Sequence, residues 1–140
     1  MFAAVFVLLY VAHQAADYPG QWDKLATRKA GWTDKAGQHH HGWGENLLHA
    51  ATHAVLCLVL LYGAGAVIGL HLATGAVAAG VAWVTVTHAV IDRRWIVRWW
   101  MEHTGQAQYI EHGGMLTVDQ AAHVVVGLLP AALLIAALTS

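Results

Sequence analysis

Three stretches of this 140-residue chain, residues 1–16, 46–91 and 120–140, contain no Asp, Glu, Lys or Arg. Segments that long and that poor in charge cannot make a water-facing surface, so they are expected inside a lipid bilayer. All fifteen charged residues fall within residues 17–45 and 92–119. Only 11% of the chain is charged, against roughly 25% in soluble domains, which argues against a soluble globular enzyme and against disorder. The formal net charge of −1 offers no basic excess for nucleic acid. A single cysteine, Cys57, excludes an internal disulfide framework and zinc fingers built from cysteine pairs.

Crossing the hydrocarbon takes about 20 apolar residues, with a range of roughly 17 to 25. That length resolves the chain into one integral-membrane domain over 1–140, with spans at about 2–18, 46–70, 76–92 and 117–138. The fold expected is all-α, a polytopic four-helix up-down transmembrane bundle. Pro19-Gly20 closes the first span, residues 71–75 form a short turn, and Thr117 with Gln120 has the spacing of a capping box. Pro130 is expected to kink the last span. The first span lacks the basic leader of a signal peptide and carries His13 and Asp17 where a cleavage site would lie, so it is read as a helix. Small residues in the second and third spans suit close helix packing in lipid.

All seven Lys and Arg lie in loops 19–45 and 93–116, which four alternating spans put on one side. The positive-inside bias makes that side the cytoplasm and puts both termini outside. Trp95, Trp99 and Trp100, interleaved with Arg93, Arg94 and Arg98, read as an extension of the third helix or as an interfacial helix with its rings in an aromatic belt.

Eleven histidines stand out in so apolar a chain. Each span carries one pair separated by four residues: His13 with Asp17, His49 with His53, His88 with Asp92, and Asp119 with His123. That spacing puts both side chains on one helix face, a turn apart. The pairs fall at the C-terminal ends of inward spans and the N-terminal ends of outward ones. All eight groups are therefore expected in one layer at the cytoplasmic face, open toward the loops. A lone His or Asp in a membrane is commonly a hydrogen-bonding group between helices, but eight ionisable groups at one depth need compensating charge. Five imidazoles and three carboxylates exceed one tetrahedral zinc. Two divalent ions sharing a carboxylate and a water use the set economically, zinc before manganese or iron.

Other groups are weaker candidates. Glu45, four residues before His49, is positioned to be a general base, although Gly42 and Gly44 argue against a helix reaching it. Arg93 and Arg94 are candidates to hold a phosphate or carboxylate of a substrate. Gln21, Lys29, Asn46 and Gln120 are expected to support the ligands or touch substrate. Cys57 lies deeper and reads as a small buried hydrophobe. His39, His40, His41, His71, His103 and His112 default to the surface.

The strings HQAADYPGQ, LLHAATHAV, THAVIDRRWIVRWW and DQAAH, in this order, resemble the domain-of-unknown-function family 3307 of small bacterial and phage inner-membrane proteins. The resemblance runs from about His13 to His123, and the family's His/Asp, His/His, His/Asp and Asp/His motifs match residue by residue. Pro19-Gly20 departs from the larger apolar residues usual there, which affects where Gln21 falls. The resemblance implies a multi-pass protein of the bacterial inner membrane and no particular activity; some members are labelled transcriptional regulators, and nothing in this sequence supports DNA binding. More distantly, the motif style is similar to membrane-bound metal-dependent hydrolases.

The leading expectation is a two-metal hydrolase acting on an amphiphilic, lipid-like substrate at the cytoplasmic membrane face. A metal carrier, sensor or channel would use the same ligands without chemistry, but few polar groups lie deeper in the spans. A haem-binding bundle would leave three Asp unexplained. Expected partners are membrane lipid and the small amphiphile, with a homo-oligomer left open.

Overall fold

The computed structural model describes residues 1–139 and is mostly helical. Helix α1 spans Phe2–Asp17, short helix α2 spans Asp23–Arg28, and Trp32–Thr33 (β1) pairs antiparallel with His39–His40 (β2). Helix α3 runs from Trp43 to Val67, α4 from Thr74 to Ile91, α5 from Trp95 to His103, α6 from Ala107 to Glu111, and α7 from Gly114 to Thr139. Of these, α3, α4 and α7 are long and apolar enough to cross a membrane. Helix α1 is apolar but has 16 residues, about 24 Å of rise, and falls just short of that length.

The four long helices close a ring in chain order: α1 packs on α3, α3 on α4, α4 on α7, and α7 on α1. The C-terminal ends of α1 and α4 meet the N-terminal ends of α3 and α7 at the His/Asp layer, so the helices alternate in direction. Beyond that layer the interior is apolar, built from Val5, Leu9, Cys57, Leu61, Val81 and Ile135 with their neighbours. Helices of this kind gain little from apolar transfer within lipid and depend on close fit. Gly80 shows how close: a Cβ there would lie 2.5 Å from the Ile135 side chain.

Several element boundaries differ from the sequence reading. Helix α3 starts at Trp43, with Gly42 as left-handed cap at φ 68° and Gly44 inside the first turn. Gly42 is needed for more than its torsion, because a Cβ would overlap the Arg28 carbonyl oxygen; the end of α2 thus packs directly on the start of α3. Helix α7 starts at Gly114, so Thr117 and Gln120 lie inside it and do not form its cap. Residues 93–116 contain two short helices. Arg94, at φ 62°, turns the chain between α4 and α5, a conformation that costs a non-glycine residue about 1 kcal/mol. Val97 and Met101 of α5 pack inward, while Trp95, Trp99 and Trp100 are exposed, as an interfacial helix requires.

Pro130 acts differently from a simple kink. Both α3 and α7 contain a wider π-helical stretch, Leu60–Ala64 and His123–Leu128. Pro130 has no N–H to donate to the Val126 carbonyl four residues back. The Trp83 indole N–H of α4 donates to that carbonyl instead, at 2.9 Å.

Candidate metal centre

All eight side chains of the four pairs are buried, the most exposed being Asp17 at 7%. The layer is therefore closed, where the sequence reading has it open toward the loops, because the segment between α1 and α3 folds over it. The five histidines His13, His49, His53, His88 and His123 each present Nε2 to the carboxylates. The four helices supply this convergence because each contributes a pair one turn apart on its inner face.

Asp17 is the centre of one half. Its Oδ1 lies 3.0 Å from His49 Nε2, 3.1 Å from His53 Nε2 and 3.7 Å from His88 Nε2. Asp92 is the centre of the other, with Oδ2 at 3.2 Å from His88 Nε2 and Oδ1 at 3.5 Å from His123 Nε2. Asp17, His49, His53 and His88 bring one ligand atom each within 4.8 Å of one another, and so do His88, Asp92 and His123. Both groups can hold a metal ion. His13 and Asp119 stand outside them. The Gln120 amide donates to Asp17 Oδ2 at 2.9 Å and turns its oxygen to His13 Nε2 at 3.2 Å, so His13 supports Asp17 through Gln120. Asp119 lies 3.8 Å from His123.

The sequence reading gave Lys29 only a supporting place, yet its ammonium sits inside the cluster. Nζ is 2.9 Å from Asp92 Oδ1, 3.0 Å from His49 Nε2 and 4.0 Å from Asp17 Oδ1. His49 Nε2 therefore faces a group that only donates and, at 3.0 Å, a carboxylate that only accepts. One imidazole nitrogen carries a hydrogen or a lone pair, never both, so these contacts cannot both be satisfied at once. A metal ion in place of the ammonium would take the nitrogen lone pair and the carboxylate together. Unpartnered buried atoms point the same way: His88 Nε2, His123 Nε2 and both Asp92 oxygens lack a partner in hydrogen-bond geometry.

The remaining candidates lie around this core. Asn46 donates to the Ala89 carbonyl at 3.1 Å and ties α3 to α4, and Gln21 donates to the Asp17 carbonyl at the end of α1. Arg93 donates to the Lys29 carbonyl at 2.8 Å and stacks over Trp43, which commits it to holding the Lys29 segment. Arg94 is exposed at the corner before α5. Glu45 sits in the first turn of α3, favourable for the helix dipole, and lines a shallow groove with Trp22, Lys24 and Leu25; it has no polar contact with the cluster among the described residues. Cys57 is buried in the apolar core. His40 pairs with Asp34 at 3.1 Å, and His103 and His112 bond to their own helix backbones.

A helical bundle with three candidate membrane spans and a buried His/Asp cluster able to take metal is the class that fold and site define. Within it, residues 5–140 match the model of the family described as protein of unknown function (DUF3307), and the chain belongs to that family. No curated protein and no solved structure matches it.

Proposed function

We propose that the chain is a membrane-embedded two-metal hydrolase whose ions are divided between two sets of three ligands. Nε2 has one lone pair, so His88 serves one ion only. Assigning it to Asp92 and His123 leaves Asp17, His49 and His53 for the other, and each ion then has two imidazoles and one carboxylate. Three protein ligands and an open position are the pattern of catalytic zinc sites, and two histidines with a carboxylate also suit iron. The observation that carries the reading is that two buried groups of ligand atoms, sharing His88, each lie within 4.8 Å of one another. Helices α1 and α3 supply the first set, α4 and α7 the second.

Bound metal would lower the pKa of a shared water toward neutrality and polarise an ester, amide or phosphoester. The chain's own residues hold the geometry: Gln120 fixes the free oxygen of Asp17, and Asn46 locks the two helices that carry His49 and His88. Arg94, exposed at the corner before α5, is available to the head group of an amphiphile held at the depth of the α5 tryptophans. A carrier or channel is less well supported, because the interior beyond the layer is lined by Val5, Leu9, Leu61, Val81 and Ile135. Haem is disfavoured by ring packing, since His53 and His88 stand with centroids 3.5 Å apart and leave no slot for a macrocycle.

The test is metal analysis of the purified full chain, followed by assay of amphiphilic esters, amides and phosphoesters with and without a chelator. Two divalent ions per chain and a chelator-sensitive hydrolysis are expected. A chain purified without chelators that holds no transition metal and takes up none overturns the reading.

A further inference from the structure

Among the described residues, Lys29 is the Lys or Arg whose charged group lies inside the ligand cluster, a place that the ligand pattern of the sequence does not explain. It is 6% exposed, comes from the segment between α1 and α3, and stands between the two ligand sets, 2.9 Å from Asp92 and 3.0 Å from His49. We propose that Lys29 is a tethered cation that occupies the cluster in its metal-free state and is displaced, together with the segment that carries it, when metal loads. This inference rests on the metal-centre reading and adds to it how the closed layer opens.

The first argument is steric and electronic. A metal on His49 Nε2 stands about 2.0–2.1 Å from that nitrogen, on the lone pair that Lys29 now faces at 3.0 Å. Ammonium and metal cannot share that position. The second is charge. Asp17 and Asp92, the carboxylates beside Lys29, bring two negative charges, and Lys29 offsets one of them; two divalent ions bring four positive charges and turn the attraction on Lys29 into repulsion.

The third is how lightly the segment is fastened. Among the described residues 20–42, Leu25 is the buried apolar side chain. The rest of the attachment is polar or local: Arg93 donating to the Lys29 carbonyl at 2.8 Å, Lys29 on Asp92 at 2.9 Å, and the Gly31 N–H on the Arg28 carbonyl at 2.9 Å. Segments with so little apolar burial open at low free-energy cost. Arg93 is then a latch on the Lys29 backbone, and Gly42 is the close contact against which the segment seats.

The experiment measures Zn(II) binding by calorimetry to the detergent-purified full chain, in wild type, Lys29→Met and Lys29→Arg. Backbone hydrogen exchange over residues 22–42 is followed in parallel, with and without Zn(II). Lys29→Met is expected to bind zinc tighter by on the order of tenfold or more, while Lys29→Arg binds as wild type or weaker. In wild type, zinc is expected to speed exchange across residues 22–42. Zinc binding by wild type combined with equal or weaker binding by Lys29→Met, or with slower exchange in the segment, overturns this inference and leaves the metal centre standing. Wild type that binds neither Zn(II) nor, in the same titration, Fe(II) or Mn(II) overturns both. If Lys29→Met does not fold, the direction of the exchange change in wild type decides alone.

Discussion

The imidazole rings of His53 and His88 lie with their centroids 3.5 Å apart, inclined by 34°, one from α3 and the other from α4. They mark the seam between the two groups of ligand atoms: His53 lies in the first and His88 in both, and the proposed division gives His88 to Asp92 and His123.

That division predicts a stepwise loss of metal. Replacing His53 by Ala should lower bound zinc from about two ions per chain to about one, and replacing His88 by Ala should do the same. The double variant should lose both. Metal analysis after gel filtration reads the result; loss of both ions in either single variant would show one indivisible site.

The Trp83–Val126 contact predicts an energetic coupling to Pro130. Trp83→Phe removes the indole donor and should destabilise the fold by about 0.6–1 kcal/mol. In a Pro130→Ala background the helix regains a backbone N–H for this turn, and the same substitution should cost less than half as much. Equal costs in a double-mutant cycle of thermal unfolding would mean that the indole does not stand in for the missing amide.

Asp34 predicts a pH-dependent loop outside the spans. Its carboxylate accepts from His40 Nε2 at 3.1 Å and from the amides of Gln38 at 2.8 Å and Ala36 at 2.9 Å. The His40 bond first, then the Gln38 amide, hold its pKa below the ordinary 3.8. A depressed carboxylate stabilises the fold fully above its unfolded value and loses that effect as pH falls through the folded one. Protection factors at Ala36 and Gln38, taken against intrinsic exchange at each pH, should therefore be at their full value at neutral pH and fall only in acid below about 3.8. Asp34→Ala should lower them throughout, and protection unchanged by that substitution would refute the assignment.

Topology is checked with single cysteines in a Cys57→Ser background. Lys35 and His71 are both exposed, at opposite ends of the bundle. An impermeant maleimide should label a cysteine at position 71 in right-side-out membranes and one at position 35 only in inverted membranes. The reverse pattern would invert the orientation.

The ligand layer was legible because helices repeat: four-residue spacing forces each pair onto one face, and span direction sets its depth. What the spacing does not carry is the packing between segments. Lys29 reaches the cluster because α2 ends at Arg28 against Gly42, the glycine that begins α3, a contact 14 residues away in sequence and invisible to helical periodicity. Gly42 and Gly44 read as breakers, whereas Gly42 is the left-handed cap that starts the helix. Gln120 reads both as half of a capping box and as a support for the ligands; it lies inside α7, away from its cap, and joins Asp17 to His13. Helix α1 read as a full span; it ends at Asp17, one residue inside the expected boundary, where Gln21 closes it.

The π-helical stretch that begins at His123 ties ligand geometry to core packing by a count of one residue. In an unbroken α-helix the face of Asp119 and His123 would continue through Pro130 and Leu134; beyond His123 the buried positions of α7 are Gly127, Leu128, Ala131, Ala132 and Ile135, so that Ala131 and Ile135 stand where Pro130 and Leu134 would, one step later. Removing a single residue from this stretch would leave a perfectly regular helix, and it would turn the ligand end by about 100° relative to the core end. In this helix, local regularity and the convergence of Asp119 and His123 on the cluster are alternatives, so the irregular turn places those side chains as much as their spacing does.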